Sequence, residues 1–341
     1  MIATRAGGAR RARLVALGAH VPERIVTNDD LAAMVDTSDE WITSRTGIRS
    51  RRWAREDQAS SDLAVEAARR CLEDAGVAAG DLDMLIVPTA TPDHLFPSTA
   101  AITADAIGAH GAAAYDLLAA CSGFVYGLGQ AAALVEAGMA DRVLVVGAEV
   151  LSHMVDLEDR STCVLFGDAA GAALVVAGDP GTTTGFLGFE LGADGSGAGQ
   201  LAIPAGGGRI PVARSGGLDG FLTMNGPEVF RFATRIMVES VARLLEATGA
   251  SIDDVDLVVP HQANQRIIDH AATRLGIPAE KMYNNLEHYG NTSSASIPLA
   301  MAEARDAGRL KPGDLVLMVG FGGGLTWGAT VVRYEPLEAG A

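Results

Sequence analysis

The sequence predicts an α/β protein built from two similar halves. Short β-branched runs alternate with alanine-rich segments, and apolar strands of this kind are typical of a sheet covered by helices on both faces. The runs are MLIVP (84–88), VLVVG (143–147), ALVV (173–176), LVVP (257–260), LVLMVG (315–320) and TVVRY (330–334). With 341 residues, 48% of them apolar, the chain can bury a large core divided between two or more domain-sized units.

An internal repeat supports this organisation. Two pairs of segments match at a constant offset of 173 residues. They are ARRCLEDAGVAAGDLDMLIV (68–87) with VARLLEATGASIDDVDLVVP (241–260), and VLVVG (143–147) with VLMVG (316–320). A repeat of this kind predicts a duplication, with one α/β half over residues 1–180 and the other over residues 181–341.

The repeat also relates two residues that lie before alanine-rich helices. At EAG (136–138) and DAG (306–308) the offset is 170 residues. Counting back 16 residues from the central alanine of each triplet reaches Cys121 and Asn291. We expect a pseudo-twofold axis to bring these two equivalent positions together at the centre of the molecule.

The composition excludes several classes of protein. The net charge of −16 argues against nucleic acid as a general partner, and no apolar run approaches the roughly 18 residues of a membrane span. The three cysteines lack disulfide or zinc spacing, which favours a reducing cytoplasm, and the histidine spacing does not suggest a metal site. Lys281 and Lys311 lie in turn-like surroundings that do not suit a pyridoxal phosphate enzyme. The arginine-rich N-terminus lacks the apolar core of a signal peptide.

The segment DLLAACSGFVYG (116–127) contains the candidate nucleophile. Cys121 lies between a short apolar run and the first turn of a predicted helix, and its small neighbours leave room for a substrate. A helix N-terminus stabilises the thiolate, which is the reactive form of cysteine. Cys71 and Cys163 lie in helical and strand-like segments without these features, so we expect them to be inert core thiols.

His261 and a glycine-rich segment are the other candidates. His261 directly follows LVVP (257–260), at the carboxyl end of a predicted strand, where ligand sites of α/β proteins gather. FGGGLTWG (321–328) follows another predicted strand. Its glycines can turn backbone N–H groups toward a reacting atom as an oxyanion hole, or they can form a tight structural turn.

Cysteine, histidine and asparagine beside a glycine loop suit acyl transfer through a thioester. In a cysteine hydrolase, His261 would deprotonate Cys121 and Asn291 would orient the histidine. In a carbon–carbon condensing enzyme, His261 and Asn291 would both donate hydrogen bonds to the carbonyl of a second substrate. The position of Asn291 in the opposite half favours the condensing enzyme. A non-catalytic scaffold would not need all three residues.

From about Leu14 to Tyr334 the chain resembles the thiolase-fold condensing enzymes, and most closely the β-ketoacyl-acyl-carrier-protein synthase III family. The resemblance rests on the blocks DTSDEWITSRTGIRSRR (36–52), YDLLAACSGFVYGL (115–128), FGDAAGAA (166–173), VPHQANQRII (259–268), YGNTSSASIPLA (289–300) and FGGGLTWG (321–328). It implies a thiolase-like fold of two pseudo-symmetric halves in layers α-β-α-β-α. It also implies a cytoplasmic homodimer that initiates type II fatty acid synthesis.

The resemblance implies a mechanism for the site residues. Cys121 would be acylated by a short acyl-CoA, with the backbone N–H groups of Cys121 and Gly323 as the oxyanion hole. His261 and Asn291 would then hold the thioester carbonyl of malonyl-acyl-carrier-protein as it loses CO2. The resulting enolate would attack acyl-Cys121 and give 3-oxoacyl-acyl-carrier-protein. No cofactor is implied, since the CoA thioester is a substrate.

The resemblance also implies binding residues. Those expected to contact CoA are Trp41, Arg45, Arg160, Gly226 and Asn264. Those expected to bind the acidic carrier protein are Arg231, Arg235, Arg266 and Arg274. Phe96 matches the position at which the partner subunit closes the acyl pocket, and its size favours a short primer such as acetyl-CoA. The alternative is a secondary-metabolism (polyketide) starter synthase, or an acyltransferase that uses a different acyl donor.

Overall fold

The computed structural model describes residues 1–4, 10–178, 184–216 and 220–337. The strands are β1 (Ile2–Thr4), β2 (Arg11–His20), β3 (Arg24–Thr27), β4 (Ser50–Trp53), β5 (Met84–Pro88), β6 (Ala113–Leu117), β7 (Arg142–Glu149), β8 (Ala169–Gly178), β9 (Gly185–Ala193), β10 (Leu201–Ala202), β11 (Thr223–Met224), β12 (Leu257–Pro260), β13 (Leu315–Gly322) and β14 (Thr326–Arg333). The helices are α1 (Asn28–Ala32), α2 (Asp39–Thr46), α3 (Ser60–Ala75), α4 (Thr99–Ile107), α5 (Gly123–Glu136), α6 (Gly226–Thr248), α7 (Gln265–Leu275), α8 (Leu286–Tyr289) and α9 (Ser296–Asp306). Within these ranges, none of the helices has the length and apolar character needed to cross a membrane.

Two five-stranded sheets form the fold, in the orders β2-β8-β7-β5-β6 and β1-β9-β14-β13-β12. In the first sheet β5 and β7 are parallel, and β8 is antiparallel to both β7 and β2. The second sheet repeats this pattern with β12, β13, β14 and β9. Every predicted strand overlaps an observed one, so the predicted arrangement of two similar α/β halves is confirmed.

One strand departs from the division at residue 180. β1 lies at the start of the chain but pairs antiparallel with β9, at the edge of the second sheet. The other strands of the second sheet begin at residue 185, and all strands of the first sheet lie within residues 11–178. The first strand of the chain therefore belongs to the sheet of the opposite half.

The helices form three layers around the two sheets. α5 and α9 lie between the sheets, where Phe124 of α5 and Met301 of α9 share one core with Val145 of β7 and Met318 of β13. α3 and α4 pack on the outer face of the first sheet. α6 and α7 pack on the outer face of the second. The layered α-β-α-β-α arrangement is thus confirmed, and it explains why the strands are apolar on both faces.

The two central helices begin in the same way. Each follows a single 3-10 turn, at residues 120–122 before α5 and at residues 293–295 before α9. The first residue of each turn has a left-handed backbone, with φ of 44° at Ala120 and 48° at Ser293. This conformation is uncommon for residues other than glycine, so its recurrence marks the true structural equivalence of the two helix starts.

The expected equivalence of Cys121 and Asn291 is therefore wrong. α5 has 14 residues and α9 has 11, so the offset falls from 173 to 170 only at their C-terminal ends. At the helix starts Cys121 corresponds to Ser294. Each turn packs against a glycine of the opposite half. A Cβ added at Gly320 would lie 3.2 Å from the Cys121 carbonyl oxygen. A Cβ added at the equivalent Gly147 would lie 2.4 Å from the Ser294 carbonyl oxygen. This reciprocal packing follows the pseudo-twofold axis.

Candidate active site

Cys121 lies in the turn before α5 and is buried, with 6% of its surface exposed. It lines two cavities. One, of about 210 Å³, is also lined by His261 and Asn291. The other, of about 400 Å³, has mainly apolar walls. The structure thus brings together the three residues that the sequence analysis selected, although they are distant in the chain.

The resting form of Cys121 is a thiol. Burial raises the pKa of Cys121 to about 12, because a thiolate would lose its hydration inside the protein. A hydrogen bond from the Ser293 side chain lowers this pKa, and the nearby Glu149 carboxylate raises it; both effects are smaller than that of burial. The stabilising effect of the helix N-terminus on the thiolate stays a prediction, and burial opposes it in the resting chain.

The other two cysteines remain outside this chemistry. Cys71 and Cys163 are buried free thiols, and burial raises the pKa of Cys163 to about 11. Neither lines the two cavities of Cys121. In the described ranges of the chain, no three His, Cys, Asp or Glu side chains are grouped so that they could hold a metal ion.

His261 directly follows β12, and only 1% of its surface is exposed. Its Nδ1 lies 2.7 Å from the Ser296 hydroxyl oxygen, and its ring meets the ring of Phe321 edge-on at a centroid distance of 5.4 Å. Burial lowers the pKa of His261 to about 3, because the protein interior penalises the imidazolium. His261 is therefore a neutral imidazole at neutral pH.

Ser296 holds the Nδ1 side of the His261 ring. The Ser296 hydroxyl oxygen also accepts a long hydrogen bond of 3.5 Å from the Gln262 backbone N–H. With Nδ1 paired to this hydroxyl, the tautomer that carries its proton on Nε2 is the one in which the ring donates toward the cavity. The sequence analysis missed Ser296, because it lies 35 residues from His261 and no local pattern links them.

These pKa shifts favour the condensing mechanism over the hydrolase. A hydrolase of the cysteine type needs a thiolate beside an imidazolium, and burial disfavours both charged forms here. A neutral imidazole that donates from Nε2 serves a condensing enzyme directly, because it can hydrogen-bond a carbonyl oxygen as negative charge develops there.

The buried histidine makes stability depend on pH. The pKa of His261 is about 3 in the folded chain and 6.5 in the unfolded chain, so its contribution is fully present above pH 6.5 and is lost as the pH falls. We expect wild type to lose about 3 kcal/mol more than His261→Gln between pH 7 and pH 4. Urea unfolding at both pH values measures this. His270→Gln, on an exposed residue of α7, should follow wild type, and equal losses for wild type and His261→Gln would contradict the prediction.

Asn291 is held by backbone pairing on one side and by a turn on the other. Its N–H donates to the Leu165 carbonyl at 2.8 Å, and its carbonyl accepts from the Gly167 N–H at 3.0 Å. Its side-chain Oδ1 accepts a hydrogen bond of 2.9 Å from the Ser293 N–H. The amide NH2 is therefore the end left to face the cavity, where it can donate to a substrate.

The glycine loop approaches the backbone of Cys121. β13 ends at Gly322, where an added Cβ would lie 2.5 Å from the Cys121 nitrogen. The glycine is required here because any side chain would displace the nucleophile. The next residue, Gly323, lines the larger cavity together with Cys121. The role of the Gly323 N–H as an oxyanion donor stays a prediction.

Gly322→Ala tests whether the close packing of this glycine against Cys121 is needed for acylation. The added methyl group must push the Cys121 turn away, and a shift of about 1 Å in a reacting group can cost roughly 100-fold in rate. We expect acylation of Cys121 to slow by about that factor, as measured by intact mass against time. Gly199→Ala is the matched control, since a Cβ there meets no atom within 4 Å. Equal acylation rates for the two variants would show that the glycine is dispensable.

The smaller cavity contains every residue predicted to contact CoA. Its walls include Trp41, Arg45, Arg160, Gly226 and Asn264. The guanidinium carbons of Arg45 and Arg160 lie 4.6 and 5.1 Å from the Trp41 ring centroid. Asn264 caps α7 and donates to the Arg45 carbonyl at 3.1 Å, which ties the helix to this cluster. An aromatic face beside two cations suits a nucleotide with phosphates.

The larger cavity adjoins Cys121 on the other side. Its apolar walls include Leu201, Ile203 and Leu222, and Ser293 also reaches it. Phe96 does not line this cavity in its own chain and is 85% exposed. Its expected role in closing the cavity of a partner subunit therefore stays a prediction, since one chain by itself cannot supply that contact.

The four arginines predicted to bind the carrier protein are exposed, but they are not equally free. Arg231 forms an ion pair with Glu228, and Arg235 pairs with Glu239 at 3.0 Å. Arg266 lies over the ring of Phe230, with its guanidinium carbon 5.6 Å from the centroid. Arg274 lies in the last turn of α7. The pairing with glutamates weakens the positive patch.

The layered fold and the cavity with cysteine, histidine and asparagine define an acyltransferase of the condensing type. Residues 115–195 match the family model described as 3-oxoacyl-[acyl-carrier-protein (ACP)] synthase III, and residues 245–334 match its C-terminal counterpart. The chain belongs to the β-ketoacyl-acyl-carrier-protein synthase III family. It is therefore an initiating condensing enzyme of fatty acid synthesis, and the resemblance inferred from the six sequence blocks is confirmed.

Individual relatives are similar over almost the whole chain. The β-ketoacyl-[acyl-carrier-protein] synthase III of Symbiobacterium thermophilum is 52% identical over 94% of this chain and 97% of its own. The enzyme of the same name from Caldanaerobacter subterraneus is 50% identical over 95% and 98%. The crystal structure of the Thermus thermophilus synthase III has a TM-score of 0.89 at 51% identity, covering 95% of this chain and 100% of that one.

A relative from a polyketide pathway is also similar. The crystal structure of the priming β-ketosynthase from the R1128 polyketide biosynthetic pathway has a TM-score of 0.90 at 37% identity, covering 97% of this chain and 98% of that one. Fatty acid and polyketide priming enzymes therefore share this architecture, and the overall fold does not distinguish their acyl donors.

Proposed function

We propose that this chain transfers an acyl group from acyl-CoA to Cys121 and then condenses it with malonyl-acyl-carrier-protein. The observation that carries the proposal is the single cavity lined by Trp41, Arg45, Cys121, His261 and Asn291. It supplies a nucleotide-binding mouth and a nucleophile. Beside that nucleophile lie two neutral side chains that can donate hydrogen bonds.

The first half-reaction forms a new thioester. The sulfur of Cys121 attacks the carbonyl carbon of acyl-CoA, and the carbon–sulfur bond to CoA breaks. The thiol proton of Cys121 leaves, the CoA thiolate takes up one proton, and the acyl group stays on the enzyme. Backbone N–H groups of Cys121 and Gly323 stabilise the tetrahedral oxyanion in this proposal, and donors of that kind are typically worth about 3–4 kcal/mol each.

The second half-reaction needs no strong base. His261 Nε2 and Asn291 Nδ2 donate to the thioester carbonyl of malonyl-acyl-carrier-protein, and loss of CO2 leaves an enolate. The enolate carbon attacks the acyl carbonyl of Cys121 and expels the thiolate, which recovers one proton. The products of this half-reaction are 3-oxoacyl-acyl-carrier-protein and CO2, since CoA has left in the first. The lowered pKa of His261 supports this role, since the ring remains a neutral donor throughout the working pH range.

The acyl group and the oligomeric state belong to the same proposal. Phe96, together with Leu95 and Leu118, is an exposed large apolar side chain, and this exposure supports a homodimer in which Phe96 closes the partner's acyl cavity. Such a closure favours acetyl-CoA. The volume of about 400 Å³ supports a second candidate, a longer or branched acyl group, because it greatly exceeds that of an acetyl group.

Intact mass spectrometry with a panel of acyl-CoA thioesters tests the proposal. We expect an adduct on wild type with acetyl-CoA, formed faster than with butyryl-, isobutyryl- or octanoyl-CoA. Phe96→Ala should extend the range toward longer chains if the aromatic ring closes the cavity. An adduct with long or branched chains alone would support acylation of Cys121 by acyl-CoA and contradict acetyl-CoA as the donor. The absence of any CoA-derived adduct would contradict acyl-CoA as the donor.

A further inference from the structure

The reaction proposed above does not use Glu149, the last residue of β7, although its carboxyl group is fully buried near Cys121. One carboxyl oxygen accepts from the Ala90 N–H at 3.0 Å and from the Thr91 hydroxyl at 2.9 Å. The other lies 2.8 Å from the Ser294 hydroxyl oxygen. None of the ion pairs in the described ranges includes this carboxyl. Burying a carboxyl group without a cation is costly unless hydrogen bonds compensate it.

The partners of Glu149 come from both halves of the molecule. Ala90 and Thr91 follow β5 in the first half, whereas Ser294 lies in the 3-10 turn before α9 in the second. The Ser294 hydroxyl also lies 2.8 Å from the Pro88 carbonyl. The carboxyl of Glu149 therefore clamps the turn at 293–295 against the end of the first sheet.

Ser293 connects this clamp to the reacting groups. Its N–H donates to Oδ1 of Asn291, and the next residue, Ser294, is the one held by the Glu149 carboxyl. Its backbone is held at φ 48°, which costs free energy for a residue with a side chain. A conformation of this kind persists only where surrounding contacts impose it, and the clamp on the neighbouring Ser294 is such a contact.

We propose that Glu149 is a positioning residue, which holds the Ser293–Ser294 turn so that Asn291 presents its NH2 group to the malonyl thioester. The inference rests on the function proposed above, in which Asn291 acts during decarboxylation. In this proposal the length of the Glu149 side chain is what holds the turn in place. A carboxyl one methylene shorter cannot span from Ala90 to Ser294, whereas an amide of the same length can.

A pair of substitutions separates the reach of the side chain from its acidity. Glu149→Asp keeps the carboxyl group and shortens the side chain, and Glu149→Gln keeps the length and replaces the carboxyl group with an amide. We expect Glu149→Asp to slow CO2 release from malonyl-acyl-carrier-protein at least tenfold, with acylation of Cys121 slowed less than threefold. Glu149→Gln should retain both half-reactions within threefold. Each half-reaction is measured separately, by intact mass for acylation and by labelled CO2 for decarboxylation.

A matched control comes from Glu190, a buried glutamate of β9 that bonds Arg243 and Trp327 and lines neither cavity of Cys121. Glu190→Asp should lower the melting temperature without changing the ratio of the two half-reactions. A Glu149→Asp variant that keeps CO2 release within twofold of wild type would overturn the inference, as would equal slowing of both half-reactions. Failure of wild type to form acyl-Cys121 would instead overturn the proposed function.

Discussion

Cys121→Ala is expected to abolish acyl-enzyme formation and to reduce condensation about 1000-fold or more. The substitution removes the only atom to which the acyl group is attached in the proposed reaction, and losses of this size are usual when a covalent nucleophile is removed. The change removes a single sulfur atom from a side chain that lines two cavities, so the fold should persist. Intact mass after incubation with acetyl-CoA measures the first effect, and product formation with malonyl-acyl-carrier-protein measures the second.

Two comparisons make the Cys121 result specific. Cys71→Ala changes another fully buried free cysteine, on the outer side of the first sheet, and should retain the acyl adduct at wild-type mass and rate. Malonyl decarboxylation should survive in Cys121→Ala, because His261 and Asn291 remain in place. An acyl adduct on Cys121→Ala would mean that another side chain carries the acyl group, which would contradict Cys121 as the nucleophile.

His261→Ala and Asn291→Asp are expected to have the second-largest effect, confined to the second half-reaction. Each variant removes one hydrogen-bond donor to the enolate oxygen, which is typically worth a factor of roughly 100 to 1000 in rate. Asn291→Asp is the sharper change, because it keeps the Oδ1 acceptor for the Ser293 N–H and replaces the NH2 donor with a carboxylate oxygen that repels the enolate. Acylation of Cys121 should continue in both variants.

The same variants test the remaining mechanism. If His261→Ala blocked acylation as completely as Cys121→Ala, the histidine would be the base that removes the thiol proton, as in a cysteine hydrolase. Ser296→Ala adds a finer test of the histidine. Without the Ser296 hydroxyl the imidazole can place its proton on Nδ1, so CO2 release should slow while acylation is unchanged. A proportional loss of both activities would indicate that Ser296 only supports the structure.

The chain is acidic, and the carrier protein proposed as its partner is acidic as well, so the two proteins repel each other. The net charge of −16 repels a carrier protein at long range, and two of the four candidate arginines are engaged with glutamates. In the proposed reaction we therefore expect recognition of the partner to rest on short-range contacts near the cavity mouth, where Arg266 lies beside Phe230, rather than on long-range steering.

The sequence by itself determined the α/β class and six of the strands, and it selected three residues that the structure places on one cavity. Apolar runs, and their recurrence in the repeat, predict strands because a strand that is buried on both faces consists of consecutive apolar residues. Cys121 and His261 could be found because each directly follows a local element, a turn before a helix or the end of a strand. The glycine segment at 321–328 could be found for the same reason.

Only the tertiary structure decided the register of the two halves, the protonation states and the supporting hydrogen bonds. The equivalence of Cys121 with Ser294 depends on where two helices begin, which a count from their ends cannot show. The pKa of His261 and that of Cys121 depend on burial by segments from the whole chain. Ser296 and Glu149 act across 35 and 145 residues of sequence, respectively. Such contacts arise only when the sheets pack around α5 and α9, so no local pattern can encode them.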